Sequence, residues 1–238
     1  MQEIRVSRVG ATEIIELHRP DAGNRITQKM GEQLVCALDA ARRDPAVAGC
    51  VLTGHGDVFC LGGDYRGAGI EVSGRMEFAR AHLDLFDAMA RLGKPLVAAV
   101  NGNAHAGGFS LVIQCDLAFM AEDATVGLPE AAHGLFPFLA MAIARDTLPK
   151  KLLFDIVYNA RLLSASEARE LYLVNSVLRR DAVVDAAITA VETAVRGKPE
   201  ILMLGRDLYY NMTGLGREAA LHQARFALGS ALSAFGHD

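Results

Sequence analysis

Polar and apolar residues alternate with period two from Ile4 to Val9 and again from Thr12 to His18, with Gly10 between them. Successive side chains of a strand point to opposite faces, so this pattern predicts a β-hairpin. Pro20-Asp21-Ala22-Gly23-Asn24 marks a turn. Thr27 stands where an N-cap belongs, and Met30, Leu34, Leu38 and Ala41 then recur at helical spacing until Pro45. Cys50-Val51-Leu52-Thr53 reads as a short buried strand closed by Gly54-His55-Gly56. A second helix is predicted from about Ser73 to Leu92, with Met76, Ala79, Leu83, Phe86 and Ala90 facing inward and Gly93-Lys94-Pro95 ending it. Leu96 to Val100 is an all-apolar strand that runs into the glycine-rich stretch Asn101 to Gly108.

Continuous apolar strands alternating with helices imply sheets buried beneath helices, so the fold class is α/β. From Leu139 onward the chain reads as almost entirely helical. Ser164-Ala165-Ser166-Glu167 has the capping-box pattern, and Lys198-Pro199 sets the last two helical stretches apart. Apolar density at Ile201, Leu202, Leu204 and Leu208 suits packing on the chain's own core or on a neighbouring subunit. No heptad, low-complexity tract or solenoid period is evident.

At 238 residues, 51% hydrophobic and 22% charged, the chain is long enough for a full core. No linker-like shift in composition divides it, which favours one domain, over about residues 1–185, followed by a helical appendage over 186–238. The formal net charge is −4 and no basic stripe is present, which argues against nucleic-acid binding. The N-terminal alternation has no secretory h-region, and no apolar stretch is long enough to span a bilayer, so a cytoplasmic, non-membrane protein is expected. Cys36, Cys50, Cys60 and Cys115 sit in apolar surroundings without CxxC spacing, which reads as reduced, buried thiols.

One feature occurs twice. The strand Cys50 to Thr53 leads to Phe59-Cys60-Leu61-Gly62-Gly63-Asp64, and the strand Leu96 to Val100 leads to Asn101-Gly102-Asn103-Ala104-His105-Ala106-Gly107-Gly108-Phe109. Paired glycines just beyond a strand let the backbone approach a ligand closely. If Gly107 opens a helix, its N–H has no partner within that helix and carries the positive end of the dipole. Two such donors aimed at one point make an oxyanion hole, and either pair alone is equally compatible with a tight turn. Neither loop is a GxGxxG or a GxxxxGKS/T, so nucleotide binding finds no support.

These residues, together with Lys94-Pro95-Leu96-Val97-Ala98-Ala99-Val100-Asn101-Gly102, Cys115-Asp116-Leu117-Ala118, Gly127-Leu128-Pro129-Glu130 and the stretch Ser164 to Val177, resemble the crotonase superfamily of enoyl-CoA hydratases and isomerases. The resemblance runs from about His18 to Asn175. It implies a crotonase-like spiral of ββα units, with C-terminal helices that assemble homotrimers or hexamers. It implies an acyl-CoA or acyl-carrier-protein thioester as substrate, with coenzyme A entering only as part of that substrate and no other cofactor. It places the thioester carbonyl between two backbone donors, here Leu61 and Gly107, with Gly62, Gly63, Asp64 and Gly108 around them. Asp64 corresponds to the family's loop acid and is also an ordinary turn or N-cap residue.

The carboxylates decide which reaction follows. Family hydratases carry one glutamate three residues beyond the second-loop glycine and another in the downstream Pro-Glu pair. Here the first position is Ser110, and the second is Glu130. Hydration asks for one group to activate water and another to handle the α-proton, whereas moving a double bond needs a single base that removes a proton and returns it elsewhere. Glu130 alone meets the second demand, and Leu128, Leu135, Phe136 and Phe138 flank it as a candidate apolar pocket that would raise its pKa.

An isomerase-type proton shuttle is therefore expected. The alternatives are a hydratase in which Ser110, His105 or His133 places the water, a thioester decarboxylase, and a non-catalytic acyl-CoA-binding protein. His105 and His133 are also read as ordinary structural histidines or as substrate contacts. No metal site is expected, because His55, His82, His105 and His133 lack ligand spacing such as HExxH. Cys60 lacks support as a nucleophile. Acyl-chain selection should rest on how residues 65–90 and 133–145 fold over the pocket.

Overall fold

The computed structural model describes residues 2–65 and 72–235. The hairpin forms as β1 (Ile4–Val9) and β2 (Thr12–Leu17), antiparallel with Ile4 opposite Leu17, and Gly10 turns it at φ +56°. β1 is the edge of a six-stranded sheet, so of its apolar side chains only Ile4 is buried. The other strands of that sheet are β3 (Gly49–Gly54), β5 (Leu96–Val100), β7 (Leu117–Ala121) and β10 (Ser176–Leu178), in the order β1-β2-β3-β5-β7-β10, parallel beyond β2. Every residue of β3 and β5 is buried, as their unbroken apolar runs require.

A smaller sheet is ordered β4 (Val58–Cys60), β6 (Asn103–His105), β8 (Thr125–Gly127) and β9 (Leu162–Ser164). Strands β3/β4, β5/β6 and β7/β8 each give their first member to the large sheet and their second to the small one, which generates the ββα spiral. Asn101 staples the two layers: its Oδ1 accepts from Gly54 N–H at 3.1 Å, and its Nδ2 donates to the Gly56 carbonyl at 2.7 Å. Beside it, a Cβ on Gly102 would lie 2.0 Å from the Asp57 carbonyl oxygen, so only glycine lets the strands cross so closely.

Helix α1 (Gln28–Arg43) is capped by Thr27, whose side chain accepts from Met30 N–H, and it buries Met30, Leu34, Leu38 and Ala41 as the spacing predicts. Helix α2 (Val72–Ala90) has about the expected extent and buries Phe86 as expected, but its inward face is shifted from the one the spacing gives. Met76 and Leu83 are 66% and 52% exposed, while Phe78, Ala81, His82, Leu85, Phe86, Ala88 and Met89 are buried. Apolar residues occupy two adjacent stripes of this helix, and packing on α1 selected the neighbouring one; Gly31 of α1 allows that approach, since a Cβ there would stand 3.4 Å from the Ala81 carbonyl oxygen.

The remaining helices are α3 (Gly107–Gln114), α4 (Phe138–Ala144), α5 (Lys150–Tyr158), α6 (Ala165–Glu170), α7 (Val183–Ala194), α8 (Pro199–Asn211) and α9 (Arg217–Phe235). α6 carries the complete capping box, Ser164 with Glu167. α7 buries Val183, Ala187 and Val191 against the large sheet, so the core continues past the boundary expected at residue 185. α8 docks through polar groups: Arg206 donates to Asp116 and to the Met89 and Ala90 carbonyls, each at 2.8 Å. Three cysteines are buried and all four are free, but Cys36 is exposed, because it falls on the outer face of α1. Among the described residues, no helix is long and apolar enough to cross a membrane.

Candidate active site

The two glycine loops come together. In the first, Ile26 N–H donates to the Gly62 carbonyl and Asp64 N–H to the Ile26 carbonyl, both at 2.8 Å, so Ile26 and Gly63 form a parallel bridge. That pairing uses the groups on either side of Gly63 and turns Gly63's own amide away from Ile26. Gly63 lines a cavity of about 660 Å³, and its N–H has no partner among the described residues.

Leu61 does not fill the role expected of it. Its N–H donates to the Gly23 carbonyl at 2.9 Å, so it anchors the loop rather than facing a ligand. The backbone then turns at Gly62, at φ +103°, a conformation that favours glycine, and the next amide, Gly63, is the one delivered to the cavity. A Cβ on Gly62 would also collide with the Ala106 Cβ at 2.8 Å.

In the second loop, Ala106 holds φ 53° and ψ −124°, a strained setting for a residue with a Cβ, and its N–H donates to the Gly127 carbonyl at 2.8 Å. Gly107 follows as the first residue of α3. Its amide has no partner among the described residues, and Gly107 lines the same cavity. A Cβ built on Gly107 would stand 3.6 Å from the Gly63 nitrogen, so the loops meet in van der Waals contact. Gly108 packs beneath them, where a Cβ would lie 2.1 Å from the Cys60 carbonyl oxygen.

Glu130 sits in a 3-10 turn, Pro129–His133, with Pro129 at the first turn position, where its missing N–H costs nothing. It is 9% exposed, its Oε2 is buried without a hydrogen-bond partner, and it lines the cavity. Burial raises its pKa above the usual glutamate value, opposed more weakly by its own backbone N–H. Leu135, Phe136 and Phe138 line the cavity beside it, as anticipated, and Leu128 is fully buried.

Ser110 also lines the cavity, but its Oγ donates to the Ala106 carbonyl at 3.3 Å. It has no basic partner and remains a neutral hydroxyl. His105 and His133 do not line the cavity. Thr125 Oγ1 donates to Asn103 Oδ1, so the His105 Nε2, 2.8 Å away, is the donor to Thr125, and this histidine braces the small sheet. His133 is exposed at the end of the 3-10 turn. Asp64 likewise lies off the cavity wall, paired with Arg19 at 3.0 Å. Cys60 is fully buried and its thiol is pushed up to about 12, which makes it inert.

The periodicity of α2, read on the wrong face, hid His82. This side chain is 5% exposed and lines the cavity with Tyr65, Phe78 and Phe86. Spacing along the chain also hid a surface grouping away from the cavity: Glu16, His18 and His55 bring ligand-type atoms within 4.8 Å of one another, because β2 and β3 are adjacent parallel strands. The Glu16 carboxylate stands 3.4 Å from His18 Nδ1 and 3.1 Å from His55 Nδ1.

The enoyl-CoA hydratase/isomerase family model matches residues 10–228. A putative enoyl-CoA hydratase of Thermus thermophilus is 31% identical over 222 residues, covering 92% of this chain and 88% of that protein. An enoyl-CoA hydratase of Mycobacterium tuberculosis is 34% identical over 179 residues, covering 73% and 67%. The crystal structure of an enoyl-CoA hydratase from Mycobacterium smegmatis superposes with a TM-score of 0.92 at 26% identity, covering 98% of this chain and 91% of that one. With the spiral fold and both glycine loops in place, the chain belongs to the enoyl-CoA hydratase/isomerase family of the crotonase superfamily.

Proposed function

We propose that the protein binds an unsaturated acyl-CoA and moves its double bond, with Glu130 carrying the proton. The amides of Gly63 and Gly107 receive the thioester oxygen as negative charge develops on it, and Glu130 removes a proton at one carbon and returns it at another. The observation that carries this reading is that, among the described residues, the cavity holds one carboxylate, Glu130, with an uncommitted buried oxygen, and two backbone amides without a partner. With Ser110 at the other family position, the cavity holds no second carboxylate among the described residues.

Hydration is the second reading, favoured by the relatives, which are named hydratases, and by His82 as a second proton-handling group in the cavity. The test follows a β,γ-enoyl-CoA and an α,β-enoyl-CoA in parallel, with wild type and Glu130→Gln. Isomerisation converts the first into the second; hydration yields a hydroxyacyl-CoA from the second. Binding without turnover of either compound would leave a thioester-binding protein and remove both readings. The apolar side chains exposed along α9, among them Phe226 and Leu228, support assembly into a trimer or hexamer.

A further inference from the structure

His82 is a buried polar side chain in the cavity that the Glu130 shuttle leaves unused. Its Nδ1 lies 2.9 Å from the Phe78 carbonyl oxygen, four residues back on α2. A carbonyl only accepts, so Nδ1 carries the hydrogen, and on a neutral ring Nε2 is then an acceptor. The ring is held neutral by burial, which outweighs the Phe78 carbonyl's pull in the other direction. Phe78 packs on the ring at 4.3 Å between centroids, and Tyr65 packs on Phe78 at 5.2 Å, so the imidazole is held between its helix and an aromatic wall.

Nε2 therefore offers a lone pair with no partner among the described residues, in a wall that is otherwise mostly apolar. The residues three and four positions away on the helix are Phe78, Ala79, Leu85 and Phe86, none of which has a side-chain polar atom. The other polar side chains of the cavity are Tyr65, Arg75, Ser110 and Glu130, and its volume of about 660 Å³ admits a ligand as well as water. A donor carried by the substrate has the advantage over water at Nε2, because the rest of the ligand positions it.

Building on the thioester reading above, we infer that His82 Nε2 accepts a hydrogen bond from a hydroxyl on the acyl group, so the substrate is a hydroxylated unsaturated acyl thioester rather than a plain alkyl one. His82 is a specificity residue in this account and takes no part in proton transfer to carbon. Glu130 and the two amides act on the thioester end, and His82 reads the chain beyond it.

The test is calorimetric binding of unreactive saturated thioesters to the full chain: hexanoyl-CoA against ω-hydroxyhexanoyl-CoA, and phenylpropanoyl-CoA against hydroxyphenylpropanoyl-CoA. Wild type should bind at least one hydroxylated member about five- to tenfold more tightly than its plain partner, the worth of one net hydrogen bond. His82→Phe should abolish that preference, bringing the two members of each pair to within about twofold of one another. His82→Gln, whose amide oxygen still accepts, should keep part of it and serves if the phenylalanine variant folds poorly. Equal affinity within both pairs for wild type, or a preference that survives in His82→Phe, overturns the inference and leaves the thioester reading standing. Failure of all four compounds to bind removes the thioester reading as well.

Discussion

The Gly63 nitrogen lies 3.6 Å from the point where a Cβ on Gly107 would stand, although the two residues belong to loops that follow different strands. That proximity makes Gly107→Ala an informative substitution. The new methyl would enter the space between the two amides without a backbone clash, and alanine suits the first turn of α3. The expected result is a fall in kcat of about 100- to 1,000-fold, the usual worth of an oxyanion donor, with the melting temperature unchanged or higher. Steady-state kinetics beside a thermal melt checks both halves.

Gly62→Ala should behave in the opposite way. Its φ of +103° and the 2.8 Å approach to the Ala106 Cβ leave no room for a side chain. A loss of about 2–3 kcal/mol is expected, or roughly 5–10 °C in Tm for a chain of this size. Calorimetric melting of the variant measures it, and a Tm within 1 °C or so of wild type would show that the turn is not held as described.

Much of this framework is legible in the sequence because its determinants are local. Thr27 and the Met30, Leu34, Leu38, Ala41 spacing specify α1, and the apolar runs of β3 and β5 announce buried strands. The errors arise where a distant partner decides. Leu61 is disqualified as a donor by the Gly23 carbonyl, which no pattern around Leu61 reveals. The face of α2 depends on α1, and with it the visibility of His82. Glu16, His18 and His55 meet only because β2 and β3 pair in parallel.

The raised pKa of Glu130 sets two pH dependences. As a base it must be ionised, so the acid limb of kcat/KM should lie above the ordinary glutamate value of 4.5. For stability the sign is reversed. A pKa higher in the fold than in the unfolded chain stabilises fully below the unfolded value, and that contribution is lost as pH rises through the folded value. Glu130→Gln, always neutral, should therefore melt higher than wild type by on the order of 2 °C near pH 8 and show no gain near pH 4. Melting curves at those two conditions test the sign.

His105 and His133 should separate cleanly from catalysis. His105→Ala removes the bond to Thr125 and should lower Tm by about 2–4 °C, while kcat/KM stays within about twofold. His133→Ala, at an exposed position off the cavity wall, should change neither quantity. A tenfold loss of kcat/KM in either variant would return that residue to the active site.

Assembly is testable by light scattering. Leu221, Phe226, Leu228 and Leu232 on α9 are each 59–67% exposed in the single chain, an apolar surface that association would bury. A mass of three or six chains is expected, shifted downward by Leu228→Glu. A monomer at micromolar concentration would refute it.

Conversion of a β,γ-enoyl-CoA deuterated at the carbon beside the thioester probes the central claim most directly, since loss of label from that carbon reports cleavage of its bond whether the carried proton is returned or exchanged with water. Wild-type protein should give the α,β-enoyl-CoA with deuterium lost from that carbon and either recovered at the far end of the migrated double bond or passed to solvent. Glu130→Gln should slow that loss by at least about 100-fold while the thioester still binds. Equal loss with the two proteins would contradict the account, because another group would then be carrying the proton.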